Sequence, residues 1–230
     1  MSFKIDLKGY RGFALQYDDT SKEATVITLC AERDIPIERF QNKETVPDDL
    51  IPCGSVEWSE SILGYSPTPD YYPEWVKSHL HRNVWAGDKW ILEKKVFVKP
   101  ADRYKRFTGF VSSANSYKGK KRPPYMFSDV VSFNNEWRYY ISNGKVLTSG
   151  WYDGDQINTP DAPELDVDIP KEFCGAADFG TYDGKLCCIE VQHPYACGWY
   201  GDFSNDSLPY VQWLIDGWIY MLKKDLICGI

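Results

Sequence analysis

The stretch from Cys174 to Asp202, CGAADFGTYDGKLCCIEVQHPYACGWYGD, constrains the fold more than any other. It reads as a strand (AADFG), a tight turn (TYDGK) and a second strand (LCCIEVQ), because Asp-Gly between alternating apolar residues is a strong hairpin signal. The strands carry Asp178 and Glu190. Antiparallel pairing brings these side by side at one end, and Gln192, two residues on, shares the face of Glu190. An oxygen-rich cluster of this kind suits a hard divalent cation, since Mg²⁺ takes one or two carboxylates and keeps its other positions for water and phosphate. Two acids on a hairpin are equally compatible with solvated charges that bind nothing.

The surrounding chain has 230 residues, 16% of them aromatic and 26% charged, enough to bury a core as one large domain or two small ones. A net charge of −7 argues against duplex nucleic acid as the main partner, while leaving room for a basic pocket that holds one nucleotide. Seven cysteines with no C-x-x-C pair, and an opening MSFKIDLKGYRG without an apolar signal core, lead us to expect a reducing cytoplasm. Cys187 and Cys188, adjacent in a strand, point to opposite faces and do not serve one metal. His79, His81 and His193 lack metal-ligand spacing.

Taken in order, residues 12–18 read as a strand. Thr20 and Glu23 form a capping box for a helix reaching about Arg33, and strands follow at 35–40 and 50–55 before a helix over 56–63. That alternation describes a small α/β layer. The Pro-rich run GYSPTPDYYP, 64–73, is linker, a helix is expected from Glu74 to about His81, and the domain boundary is set at 82. Residues 83–230 are strand-rich, with a further hairpin at Asn143-Gly144, and end in an amphipathic packing helix from Ser207 to Lys224 that is too short and polar to span a bilayer.

Two more segments have the composition of a site. In VFVKPADRYKRFTGF, Lys99 closes an apolar strand, where a lysine either snorkels or reaches polyphosphate from within a cleft; Lys105 follows. In SDVVSFNNEWRYYI, Asp129, Val130 and Val131 offer backbone groups to the edge of a purine. Glu136 and Arg138 share one strand face, as ligands for ribose and phosphate or as a plain surface pair. The loops at 112–125 and 153–172 are polar and turn-rich, the first carrying a basic GKKRPP that is a lid over phosphate or, preferably, a solvated loop.

In this order, VFVKPAD..KRFTG, SDVVSFNNEWRYYI and IEVQ...GWY, preceded by LIPCGSVEW, resemble signature blocks of the ATP-grasp superfamily. More narrowly, they are similar to its clade of small phage and bacterial proteins named for a shared arginine and two lysines. The resemblance covers about residues 50–202. It implies an α+β fold of two subdomains clasping MgATP, preceded by a small α/β pre-ATP-grasp domain (1–82) that helps bind substrate. It also implies that Lys99 and Lys105 contact phosphates, that 129–131 form the adenine hinge, and that Glu136 holds ribose. Arg138 would then meet the γ-phosphate or acyl group, and Asp178, Glu190 and Gln192 would carry Mg²⁺. Gln192 stands where the superfamily usually has Asn, and Ala176 where many relatives carry a basic residue.

The implied reaction is ATP-dependent carboxylate-amine ligation through an acylphosphate, with a peptide or protein terminus among the candidate substrates and neither nucleic acid nor membrane as partner. Two other classes stay open: a phage nucleotide-binding protein that acts by interaction without turnover, and a purely structural phage protein. The altered Gln192 and Ala176, and exposed-type aromatics such as Tyr71, Tyr72, Trp75 and Trp151, support the former.

Overall fold

The structure, a computed structural model, describes residues 3–19, 21, 24–27, 35–90, 94–102, 107–112, 123–201 and 207–228. Strands β1 (Gly12–Gln16), β2 (Ile37–Phe40) and β3 (Leu50–Cys53) form a parallel sheet in the order β2-β1-β3. Most residues of β1 and all of β3 are buried, as expected of parallel strands covered on both faces. Helix α1 (Val56–Leu63) lays Trp58 against Ala14 and Leu50 on one face, while Ala24, Val26 and Ile27 join Phe13 and Leu15 on the other. The Ser55 hydroxyl caps α1 by accepting the Trp58 N–H at 3.2 Å, and Gly64 ends it at a φ of 87°. Thr20, Glu23 and the expected helix beyond residue 27 lie outside the described residues. At 24–27 the helical turn is capped by Ser21, whose hydroxyl accepts the Ala24 N–H at 3.1 Å.

A second sheet is antiparallel, β4 (Val84–Gly87), β5 (Val96–Pro100), β6 (Phe110–Ser112) and β7 (Tyr125–Ser128) in the order β4-β7-β5-β6. Val96 and Val98 bury against Tyr125 and Phe127, so strand alternation turns Phe97 and Lys99 to the opposite face. The third sheet, β8 (Asn135–Ser142), β9 (Lys145–Gly154), β10 (Gly175–Tyr182) and β11 (Lys185–Gln192), runs β11-β10-β8-β9. Its two tight turns hold Asn143-Gly144 at φ 49° and 71° and Asp183-Gly184 at φ 50° and 69°, as the sequence predicts.

Helix α2 (Ser207–Cys228) lies between the first and third sheets, and no helix among the described residues is long and apolar enough to cross a membrane. One core holds Phe13, Leu15 and Ile51 of the first sheet, Tyr140 and Ala176 of the third, and Tyr210, Trp213 and Ile215 of α2. The Trp213 indole N–H donates to Gly175 O at 3.0 Å, and Gln212 exchanges hydrogen bonds with the Asp6 backbone at 2.7 and 3.1 Å.

Three features depart from the sequence reading or go beyond it. The helix from Glu74 is 3₁₀ and stops at His79, two residues before His81 turns left-handed at φ 45°. The strand beginning at Tyr125 stops at Ser128, because 129–133 cross from the second sheet to the third; the Asp129 N–H is taken by Asn83 O and the Asn134 N–H by Thr181 O. The 153–172 loop covers the back of the third sheet, with Ala162, Leu165, Val167 and Ile169 packed on Trp137 and Tyr139 and their polar atoms bonded to Pro160 O and Pro163 O. That back face is opposite to Arg138 and Asp178.

Candidate active site

An ion pair joins the second and third sheets. Lys99 Nζ of β5, on a residue only 6% exposed, lies 2.6 Å from Glu190 Oε2 of β11, and both line a cavity of about 250 Å³ with Thr108, Gly109, Gln192 and Cys197. The ammonium also sits 3.5 Å from the ring centroid of Tyr71 and 5.0 Å from that of Tyr72. Burial and the nearby Glu190 charge hold the Tyr71 phenol above its ordinary range, so the ring is neutral.

Across the hairpin, Asp178 pairs directly with Glu190 on one side and with Arg138 of β8 on the other. Arg138 forks onto Asp178, Nε to Oδ1 at 2.7 Å and Nη2 to Oδ2 at 2.8 Å, with the residues 7% and 2% exposed. Burial works against the guanidinium charge and Asp178 outweighs it, so Arg138 is held more firmly protonated than usual. The same burial pushes the Asp178 carboxyl up, against the pull of Arg138.

Gln192 Nε2 donates to both acids, at 2.5 Å to Glu190 Oε1 and 3.2 Å to Asp178 Oδ2, while its Oε1 accepts the Cys197 thiol at 3.4 Å. A positively polarised N–H pair thus occupies the gap between the carboxylates, which is chemistry a cation would share. Among the described residues no group of three or more His, Cys, Asp and Glu side chains is arranged to hold a metal. Two carboxylates and a rotatable amide fit Mg²⁺, which binds few protein oxygens and completes its shell from water and phosphate. They fit poorly a metal that needs a full protein cage.

A β-bulge sets this geometry. The register slips between Asp178, opposite Glu190, and Phe179, opposite Cys188, leaving Ile189 as the extra residue. Strand parity therefore reverses at 189: Cys188 and Val191 share the apolar core, and Glu190 and Gln192 share the cleft face. Arg82 secures the bulge, donating to Cys188 O at 2.6 Å and Ile189 O at 3.1 Å.

A second cavity of about 310 Å³ is lined by Tyr72, Arg82, Val130, Val131, Phe133 and Glu136. Burial, with the charges of Asp153, Asp178 and Glu190, raises the Glu136 carboxyl. Asp129 also lines it, but its carboxylate accepts from Asn83 and Lys94 and its N–H bonds Asn83 O, so its polar groups brace the segment.

The structure thus brings Lys99, Glu136, Arg138, Asp178, Glu190 and Gln192 together and puts Val130 and Val131 on an adjoining wall. Lys105 and 119–122 of GKKRPP lie outside the described residues. Ala176 is fully buried in the core it shares with α2, leaving no space there for a long basic side chain. Tyr71, Tyr72, Arg82 and Cys197 are site residues that sequence reasoning missed. The aromatics expected to be exposed are mostly engaged: Tyr71 is 7% exposed, Trp75 packs on Phe173 at 5.1 Å, and Trp151 bonds Asn135 at 3.1 Å. The available signal was two adjacent tyrosines in a Pro-rich linker, which solvent alone does not require.

Residues 79–209 match an ATP-grasp domain family, the second family of the clade named for an arginine and two lysines. No curated protein matches the chain in sequence. Similar solved structures include D-alanine–D-alanine ligase from Bacillus anthracis complexed with ATP, 11% identical over 94% of this chain and 99% of that one, with a TM-score of 0.47. They also include the ATP-grasp ligase PsnB complexed with minimal precursor, at 10% identity over 80% and 90% and a TM-score of 0.42. A third is N5-carboxyaminoimidazole synthase from Aspergillus clavatus in complex with ADP and 5-aminoimidazole ribonucleotide, at 10% over 80% and 70% and a TM-score of 0.43.

Proposed function

The chain belongs to the ATP-grasp domains of the arginine-and-two-lysines clade, family 2, and on that footing we propose that it is an ATP-dependent ligase joining a carboxylate to an amine through an acylphosphate. Its α+β architecture is the ATP-grasp fold. The observation that carries the reading is the meeting of Lys99 and Glu190, from two different sheets, in a cavity beside one lined by Val130, Val131 and Glu136.

In this reading the adenine lies against 130–131, Glu136 takes the ribose, and Lys99 holds the phosphates together with Lys105. Glu190, Asp178 and a turned Gln192 amide would hold Mg²⁺, which supplies charge neutralisation at the phosphate oxygens. The carboxylate oxygen of the first substrate attacks the γ-phosphorus and ADP leaves. The amine nitrogen then attacks the acyl carbon, phosphate departs, and the nitrogen gives up a proton as the amide forms. No side-chain nucleophile is required, so catalysis is positioning and electrostatics. Arg138, with Nε and Nη2 committed to Asp178, presents its remaining Nη1 edge to the transferred group.

We assign the first eighty or so residues the role of a pre-ATP-grasp domain. A cavity of about 430 Å³ opens at the carboxyl ends of β1 and β3, lined by Gln16, Asp18, Asp19, Ser21 and Ser55, and it shares Ala196 with the Lys99 cavity. In parallel sheets that crevice is the usual ligand position, and it suits the substrate that meets the phosphoryl group. A second reading, nucleotide binding without turnover, is favoured by the Asp178 fork and the Gln192 amide that already engage the charges a reaction would use.

The test is metal-dependent release of ADP from ATP, stimulated by mixed amino acids or peptides. Glu190→Ala is expected to abolish it, by at least about a hundredfold. ATP binding without ADP release under any condition would support the second reading, and the lack of any ATP-induced thermal shift would overturn both.

A further inference from the structure

We propose that Tyr71 is a positioning residue for Lys99: the face of its ring, delivered by the linker between the first sheet and the rest of the chain, holds the lysine ammonium in the cleft. The geometry is independent of any ligand, and its consequence for phosphate binding rests on the nucleotide reading above.

Lys99 is anchored on the second sheet, and its carboxylate partner, Glu190, on the third. Glu190 is also the residue that would turn toward a cation, which would weaken its hold on the ammonium. The Tyr71 ring has no such second role. At 3.5 Å from its centroid the ammonium lies well inside the range of cation–π attraction, and burial strengthens that attraction by removing water.

The ring is itself fixed from the third sheet. Val191, next to Glu190, donates its N–H to Tyr71 O at 3.0 Å, and His193 Nε2–H donates to Thr68 O at 3.2 Å. The linker is thus tied to the end of β11 by one backbone and one side-chain hydrogen bond, and one peptide bond separates the residue that anchors Tyr71 from the one whose carboxylate pairs with Lys99. Tyr72, 5.0 Å from the same ammonium, also lines the 310 Å³ cavity. Two tyrosines from a Pro-rich linker therefore aim the lysine of the cleft.

The first readout needs no ligand. Ring currents should shift the Lys99 ε-methylene protons upfield in the native protein and in Tyr71→Phe, and Tyr71→Leu should restore ordinary lysine positions. The second uses Tyr71→Phe with none, one, two or three fluorines on the ring, which keeps the shape and drains the negative face. Affinity for the magnesium complex of β,γ-imido-ATP should fall stepwise, by about threefold to thirtyfold across the series, with adenosine affinity unchanged. In a Lys99→Met background the series should be flat. An unshifted ε-methylene in the native protein, a flat series with Lys99 present, or an equal slope without Lys99 would each overturn the proposal. A native protein that shows the shift but binds no triphosphate analogue would leave the Tyr71 contact standing and sink the nucleotide reading instead.

Discussion

Glu136 shows how much a single carboxylate can report about this cleft. It shares a strand face with Arg138, as the i, i+2 spacing requires, but its environment comes from residues far away in sequence: burial first, then Asp153, Asp178 and Glu190, all raising its carboxyl against a hydrogen bond from Tyr152. Because the folded state favours the protonated form, its stabilising contribution is full below the unfolded value of 4.5 and is lost as pH rises from there through the elevated folded value. Glu136→Gln, which keeps the acceptor for Tyr152 and cannot ionise, should match the native protein in thermal stability at pH ~4, below that window. It should then become the more stable of the two by a few degrees as pH rises, with a plateau above the window. Melting curves at half-unit pH intervals check this, and a difference independent of pH would contradict it. Charged residue types were readable in the chain because a lysine or an acid inside an apolar strand is conspicuous. Tyr71 was not, since an aromatic side chain in a linker has no periodicity to reveal its partner.

At the scale of elements, both hairpins were legible because Asn-Gly and Asp-Gly encode their own backbone, whereas the bulge at Ile189 was not. The run LCCIEVQ is apolar on both faces up to 189, so alternation has no contrast with which to mark a slip of phase. Yet the slip decides that Glu190 looks into the cleft while Cys188 looks into the core. Its carbonyls are satisfied by Arg82, a residue that lies 106 positions away from Cys188 and has no local reason to be there. Arg82→Ala should leave two partly buried carbonyls short of a donor and cost about 1–3 kcal/mol in urea denaturation. Arg82→Lys should recover only part of the loss, because an ammonium does not present the planar fork. The loss should also appear as weaker Mg²⁺-dependent nucleotide binding, since a relaxed bulge lets Glu190 rotate. Full stability of Arg82→Ala would mean that the strand holds its own phase.

For the whole molecule, the sequence separates an α/β opening from a strand-rich remainder at residue 82, and composition has no means of saying how the two pack. The structure gives them a common core through α2: Phe13, Leu15 and Ile51 meet Tyr210, Trp213 and Ile215, and Tyr140 and Ala176 close the other side. A helix read from its apolar spacing as packing material is thus the element both parts need. Neither sheet keeps its inner face dry without it, because each would expose buried aromatic and aliphatic surface worth roughly 25 cal/mol per Å². This shared core makes the two parts unfold together. The loss of β1 amide protection and the loss of near-ultraviolet signal from Trp199 and Trp213, both fully buried, should coincide in urea. Trp213→Ala, which empties the centre of that core and frees Gly175 O, should lower both transitions together by about 3–5 kcal/mol. If the β1 amides exchange well before the tryptophan signal falls, the first sheet is an independently melting unit, and α2 belongs to the third sheet alone.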